Sequence, residues 1–191
     1  ESLSDMLSTY AQLGFEHITD LHGYDHMLFL LALCAAYQYF EWKKILVLVT
    51  AFTAGHSITL ALAVLNVIPV NGAWIEFLIP VTIAATAAKN LITNQQKAPT
   101  ATYFMALGFG LIHGMGFSNY LRSLLGDELL MPLFAFNIGI ELGQLLVVSG
   151  IFLLQFALMK TISVKHSHWN TVISIVSGGI SLLLAAQRIP L

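Results

Sequence analysis

Six runs of apolar residues, each near the length of a bilayer crossing, follow one another between short polar breaks. One helical crossing takes ~20 residues. The runs fall at about 22–39, 44–66, 74–93, 101–118, 131–158 and 169–187. The breaks are loop-like: Glu41-Trp42-Lys43-Lys44, Pro69-Val70-Asn71-Gly72, Thr93 to Pro99, Gly126-Asp127-Glu128, and Lys160 to His168. In lipid every backbone polar group must be satisfied inside the segment, which for runs of this length means helix. The whole chain is 57% apolar and 9% charged, against about 45–50% and ~25% in soluble domains. The expected fold is an all-α integral membrane protein: a six-transmembrane-helix bundle over residues 21–191, preceded by a short segment over 1–20. In that segment Leu3, Met6, Leu7, Tyr10, Leu13 and His17 recur at helical spacing. The spacing predicts an amphipathic helix lying on the outer membrane surface. There His17 is read as a solvated residue.

Charge and cysteine content remove other classes. Eight basic against ten acidic residues form no basic patch for nucleic acid. The single cysteine, Cys34, excludes a disulfide scaffold. Lys43, Lys44, Lys89, Lys97, Lys160 and Lys165 fall on the side reached by the first, third and fifth spans, and Arg122 and Arg188 on the other. Positive residues mark the cytoplasmic side. Both termini are therefore expected outside a bacterial inner membrane. The chain opens on Glu1, and an outside N-terminus without an export helix of its own is read as following a removed signal peptide.

Ionisable residues within spans cost ~2.5–3.5 kcal/mol each even on mild insertion scales, and they mark functional sites. His22, Asp25 and His26 share one face at i, i+3 and i+4. Thr53, His56 and Ser57 lie near the middle of the second span, and Glu76 opens the third. His113 lies near the end of the fourth. Asn137, Glu141 and Gln144 line one face of the fifth. With ~1.5 Å of rise per residue, His22, Asp25, His26, His56, His113 and Glu141 all fall in the outer half of the bilayer. A single buried histidine has a plain packing explanation; histidines and carboxylates from several spans at one depth do not. Imidazole with carboxylate suits borderline divalent ions such as nickel, cobalt or zinc. Thr53, Ser57, Glu76, Asn137 and Gln144 are read as a secondary polar path.

A faint repeat is also present. Phe52-Thr53-Ala54-Gly55-His56 matches Phe136-Asn137-Ile138-Gly139-Ile140, and His22-Gly23 matches His113-Gly114. Two three-span halves carrying such motifs would form a 3+3 inverted repeat.

Together these blocks resemble the HupE/UreJ family of nickel-permease-like membrane proteins. The resemblance rests on His17-Ile18, Gly23 to Leu33, Thr50 to Leu60, Phe109 to Phe117 and Phe136 to Gln144. It implies metal ligation by His22, Asp25, His26 and His113. The family's glutamate corresponds to Glu141, which here sits on the following span, the pattern of a second branch. The resemblance also implies a bacterial inner membrane and a link to hydrogenase and urease maturation.

The leading reading is an uptake permease for a divalent transition metal. No Gly-rich phosphate loop is present to couple it to ATP. The second is an intramembrane zinc hydrolase acting on a lipid-like substrate, with Glu141 or Asp25 as general base. The sparse ionisable residues of the inner half, Lys89 with Asn90 near the inner surface, favour that second reading. A metal sensor or assembly subunit is a third. The expected partners are a metal ion and the bilayer, and the oligomeric state, homo-oligomer included, is left open. The orientation is directly testable. On a Cys34→Ala background, Ser2→Cys should label from outside and Gln95→Cys from inside. Outside labelling of position 95 would contradict the topology.

Overall fold

The computed structural model describes residues 3–21, 23–92, 99–124 and 129–190. These form eight helices: α1 (Leu3–Thr19), α2 (Asp25–Ala35), α3 (Trp42–Val64), α4 (Gly72–Ile92), α5 (Pro99–Gly116), α6 (Ser118–Leu124), α7 (Leu130–Thr161) and α8 (His166–Gln187). Among the described residues there is no strand. A single 3-10 turn, Tyr39–Glu41, leads into α3. Among the described residues four segments are long and apolar enough to cross a membrane: Tyr39–Val64, Gly72–Ile92, Leu130–Thr161 and His166–Gln187. Their outward faces are apolar, with Ile92, Leu130, Leu153 and Leu183 all largely exposed. This is the surface of a membrane protein, since lipid, unlike water, imposes no penalty on it.

Two differences from the sequence reading concern the shorter helices. The first apolar run, placed at 22–39, yields an α2 of only 11 residues. At ~1.5 Å per residue such a helix cannot cross a bilayer alone. The second difference is α1. It packs along α7 with backbone touching backbone. A Cβ on Gly14 would lie 2.0 Å from the Phe136 carbonyl oxygen, and one on Gly139 would lie 1.9 Å from that of Ala11. Helix faces this smooth let axes approach closely, the usual means of helix association in lipid.

The α3–α5 crossing repeats this geometry. A Cβ on Gly110 would meet the Phe52 oxygen at 2.1 Å, and one on Gly55 would meet the Leu107 oxygen at 2.2 Å. In both pairs contacts advance together along the two chains, so each pair is parallel. Gly139 lies at Ala11 and Gly143 at Ile18; Gly110 lies at Phe52 and Gly114 at His56. Helix α7 then continues past α2, where Gln155 Nε2 donates to the Tyr37 carbonyl at 2.9 Å. Helices α1 and α2 therefore follow one another along α7 in one direction. Likewise α5 and α6 follow one another along α3, and Arg122 of α6 hydrogen-bonds the Asn66 side chain just beyond the end of α3. Asn66 has φ 58°, the left-handed conformation that asparagine tolerates after a helix end. Helices α3 and α7 run antiparallel, because Ser57 meets Asn137 while Thr50 meets Glu141.

Gly14…His17 and Gly110…His113 share the same spacing, and each glycine meets a backbone carbonyl of its partner helix. The Phe52 and Phe136 carbonyl oxygens are each approached by a glycine of the paired helix. Helices α4 and α8 pack together and flank α2.

The glycine crossings predict a sharp contrast. Gly139→Ala or Gly55→Ala forces two backbones apart and should destabilise by about 1–3 kcal/mol. Gly150 has nothing within 4 Å of its Cβ position, so Gly150→Ala should be neutral or raise stability by up to ~1 kcal/mol. Thermal unfolding midpoints in detergent check both.

Candidate metal centre

The breaks in the two paired helices fall at the same place. His17 is on the last turn of α1, His26 on the first turn of α2, and His113 on the last turn of α5. The middle of α3 supplies His56. Imidazole centroids lie 4.6 Å apart for His17–His26, 5.9 Å for His26–His56, 6.1 Å for His17–His56 and 5.2 Å for His26–His113. One ring nitrogen from each of His17, His26 and His56 lies within 4.8 Å of the others. Phenylalanines wall the cluster. Phe117 contacts His17 at 4.0 Å and stacks on Phe136, while Phe52 contacts His113 at 5.0 Å and stacks on Phe29.

These rings account for half of the buried side-chain polar atoms that lack a hydrogen-bond partner among the described residues, with Asp25 Oδ1 and Gln144 Nε2 among the others. His56 and His113 are fully buried and His26 nearly so. Neither nitrogen of His56 has a hydrogen-bond partner, and the Nε2 atoms of His26 and His17 and Nδ1 of His113 also lack one. Leaving a buried polar atom unsatisfied costs ~1–3 kcal/mol. Several such nitrogens face one another here, and neutral imidazoles in this arrangement are donors that suit a divalent ion. The Thr82 hydroxyl donates to the Ile79 carbonyl at 2.7 Å. It also lies 2.9 Å from His113 Nε2. Thr82 thus engages Nε2, and Nδ1 is the His113 nitrogen left without a partner. Such a fixed second nitrogen is how proteins orient metal-binding imidazoles.

Other residues of the sequence reading are placed differently. His22 lies outside the described residues. Asp25 Oδ2 is 3.0 Å from Arg188 Nη1. Glu141 is half-buried and accepts from Thr50 at 2.8 Å. Glu76 is exposed, and its backbone carbonyl faces Arg188. Thr53 donates to Gln144 Oε1 at 2.7 Å and Ser57 to Asn137 Oδ1 at 2.6 Å. With Thr50–Glu141 these bonds make a polar ladder between α3 and α7. The residue that sequence reasoning passed over is His17. Its position four residues after Leu13 on an amphipathic pattern looked solvated, but the α1–α7 crossing turns its ring into the cluster. The Gly14-x-x-His17 spacing, the same as Gly110-x-x-His113, was the available signal. An open groove of about 650 Å³ lined by Glu16, His17, Asp20, Phe117 and Tyr120 leads to it.

The fold is that of a helical membrane protein with a buried histidine cluster where α1, α2 and α5 end or begin beside α3. The family described as HupE / UreJ protein matches residues 1–188, and the chain belongs to that family. A search of curated proteins and a search of solved structures found no match.

The unsatisfied rings predict a trade of stability for binding. In chelator, His56→Leu should unfold at a higher temperature than wild type, by ~1–3 kcal/mol of relieved desolvation. It should also lose any rise in unfolding temperature when nickel or cobalt is added. A melting temperature lowered in chelator would contradict the absence of partners on His56.

Proposed function

We propose that this protein is a secondary carrier for a divalent transition metal, with His17, His26 and His56 as the central ligands and His113 beside them. The observation that carries the reading is the set of buried imidazole nitrogens within 4.8 Å of one another without hydrogen-bond partners. The family is associated with nickel and cobalt transport, and neutral nitrogen donors suit those ions and zinc. Nickel or cobalt is the proposed cargo.

The architecture supports a carrier in membrane terms. We read six crossings, two of them discontinuous: α1 with α2, and α5 with α6. The α1–α7 and α5–α3 pairs then belong to two halves of opposite direction, with the cluster where both broken helices are interrupted. Inverted halves with broken helices at a central site are a recurring transporter plan. The groove at Glu16, His17 and Asp20 faces outside in this reading, and the α3–α7 ladder of Ser57, Thr53 and Thr50 with Asn137, Gln144 and Glu141 leads inward. Oxygen ligands along it replace part of the ion's water, whose loss in hydrocarbon is otherwise prohibitive. The membrane potential contributes ~2.3 kcal/mol per charge per 100 mV toward entry.

The hydrolase alternative has less support. Glu141 bonds Thr50 and Asp25 pairs with Arg188, so neither proposed general base stands beside the cluster as a free carboxylate.

Cells expressing the protein should accumulate radioactive nickel or cobalt faster than controls. His26→Ala and His56→Ala should reduce the gain at least ~10-fold, as loss of a ligand does. Lowering the external pH from about 7 to 5 should slow uptake, because protons compete with metal for imidazole nitrogen and free histidine titrates near ~6.5. Uptake equal to controls in wild type would refute the carrier.

A further inference from the structure

We propose that Arg188 is a positioning residue of the histidine centre, acting through Asp25; the inference rests on reading that centre as a metal site. Arg188 caps the C-terminus of α8. Its Nη1 lies 3.0 Å from Asp25 Oδ2 and 3.5 Å from the Glu76 backbone carbonyl. Asp25 is the first residue of α2, and the second is His26. The pair is partly shielded, with the side chains of Arg188 and Asp25 29% and 17% exposed. An ion pair so placed is less screened than one on the surface.

The start of α2 has particular need of this tether. Its N-cap, Tyr24, makes no side-chain cap bond and has helical backbone angles, so the first turn has no local end-stop. Helix α2 is also short, and α1 has ended six residues earlier. What holds the first turn is the Asp25 carboxylate, favourably placed at a helix N-terminus and fixed by a guanidinium from α8 that also reaches α4. His26, next in the chain, takes its ring position from that turn. The same contact balances the charge of the Asp25 carboxylate through Oδ2, while Oδ1 is buried without a hydrogen-bond partner. The ion then meets uncharged nitrogen donors, which select transition metals over magnesium or calcium, ions that prefer carboxylate oxygen.

The test is cobalt(II) titration of the full-length protein in detergent, reading both affinity and the visible absorption band of the bound ion. Arg188→Gln should weaken binding about tenfold, the scale seen when a ligand-orienting partner is lost, and should shift the band. Arg188→Lys, which keeps the cation, should restore most of the affinity and the wild-type band. If Arg188→Gln does not fold, Asp25→Asn breaks the same pair from the other side and should give the same shift. Unchanged affinity and spectrum in a folded Arg188→Gln protein, with binding still lost in His26→Ala, overturn the role of Arg188 alone. No cobalt binding by wild type overturns the metal reading and this inference with it.

Discussion

Backbone-to-backbone contact at glycine is the constraint from which the rest of this structure follows. Lipid offers helices no hydrophobic incentive to associate, so association depends on close packing. Here Gly14 and Gly139 join α1 to α7, and Gly55, Gly110 and Gly114 join α5 to α3. Each crossing fixes a helix that is broken just beyond it. Because the crossings are alike, the two broken ends, carrying His17 and His113, arrive at one place. There they meet His26 and His56. A larger residue at any of these glycines would move a histidine as well as a helix.

The centre is built at a cost to stability. Imidazoles buried among Phe29, Phe52, Phe117 and Phe136 with bare nitrogens are unfavourable until something coordinates them. An apolar residue of similar size would pack the same space better. Several such rings, with Thr82 holding Nε2 of His113, support the proposal of a cation site here. The α3–α7 ladder differs in kind: its oxygens are joined in pairs by the hydroxyls of Thr50, Thr53 and Ser57.

Much of this was legible in the chain. Apolar run length placed α3, α4, α5, α7 and α8 within about three residues at each end, and the spacing of Leu3, Met6, Leu7 and Tyr10 placed α1. His26, His56 and His113 stand out because ionisable residues are rare in such runs. Three things were not legible. Run length cannot show a break whose two sides are both apolar, so α2 merged with the turn after it and α6 was missed. Helical periodicity shows which face of α1 is apolar but not what covers that face, so His17 looked solvated. A carboxylate in a span advertises function without naming its partner. Asp25 turned out to face Arg188, 163 positions away in the chain, and Glu141 to face Thr50.

The central claim is that imidazoles from α1, α2 and α3 share one ion. X-ray absorption at the metal edge of the nickel- or cobalt-loaded protein addresses it directly. The account predicts at least three nitrogen ligands with the outer-shell scattering of imidazole, and the loss of one imidazole contribution in His17→Ala. A first shell of oxygen alone, or a spectrum indifferent to His17→Ala, would contradict it.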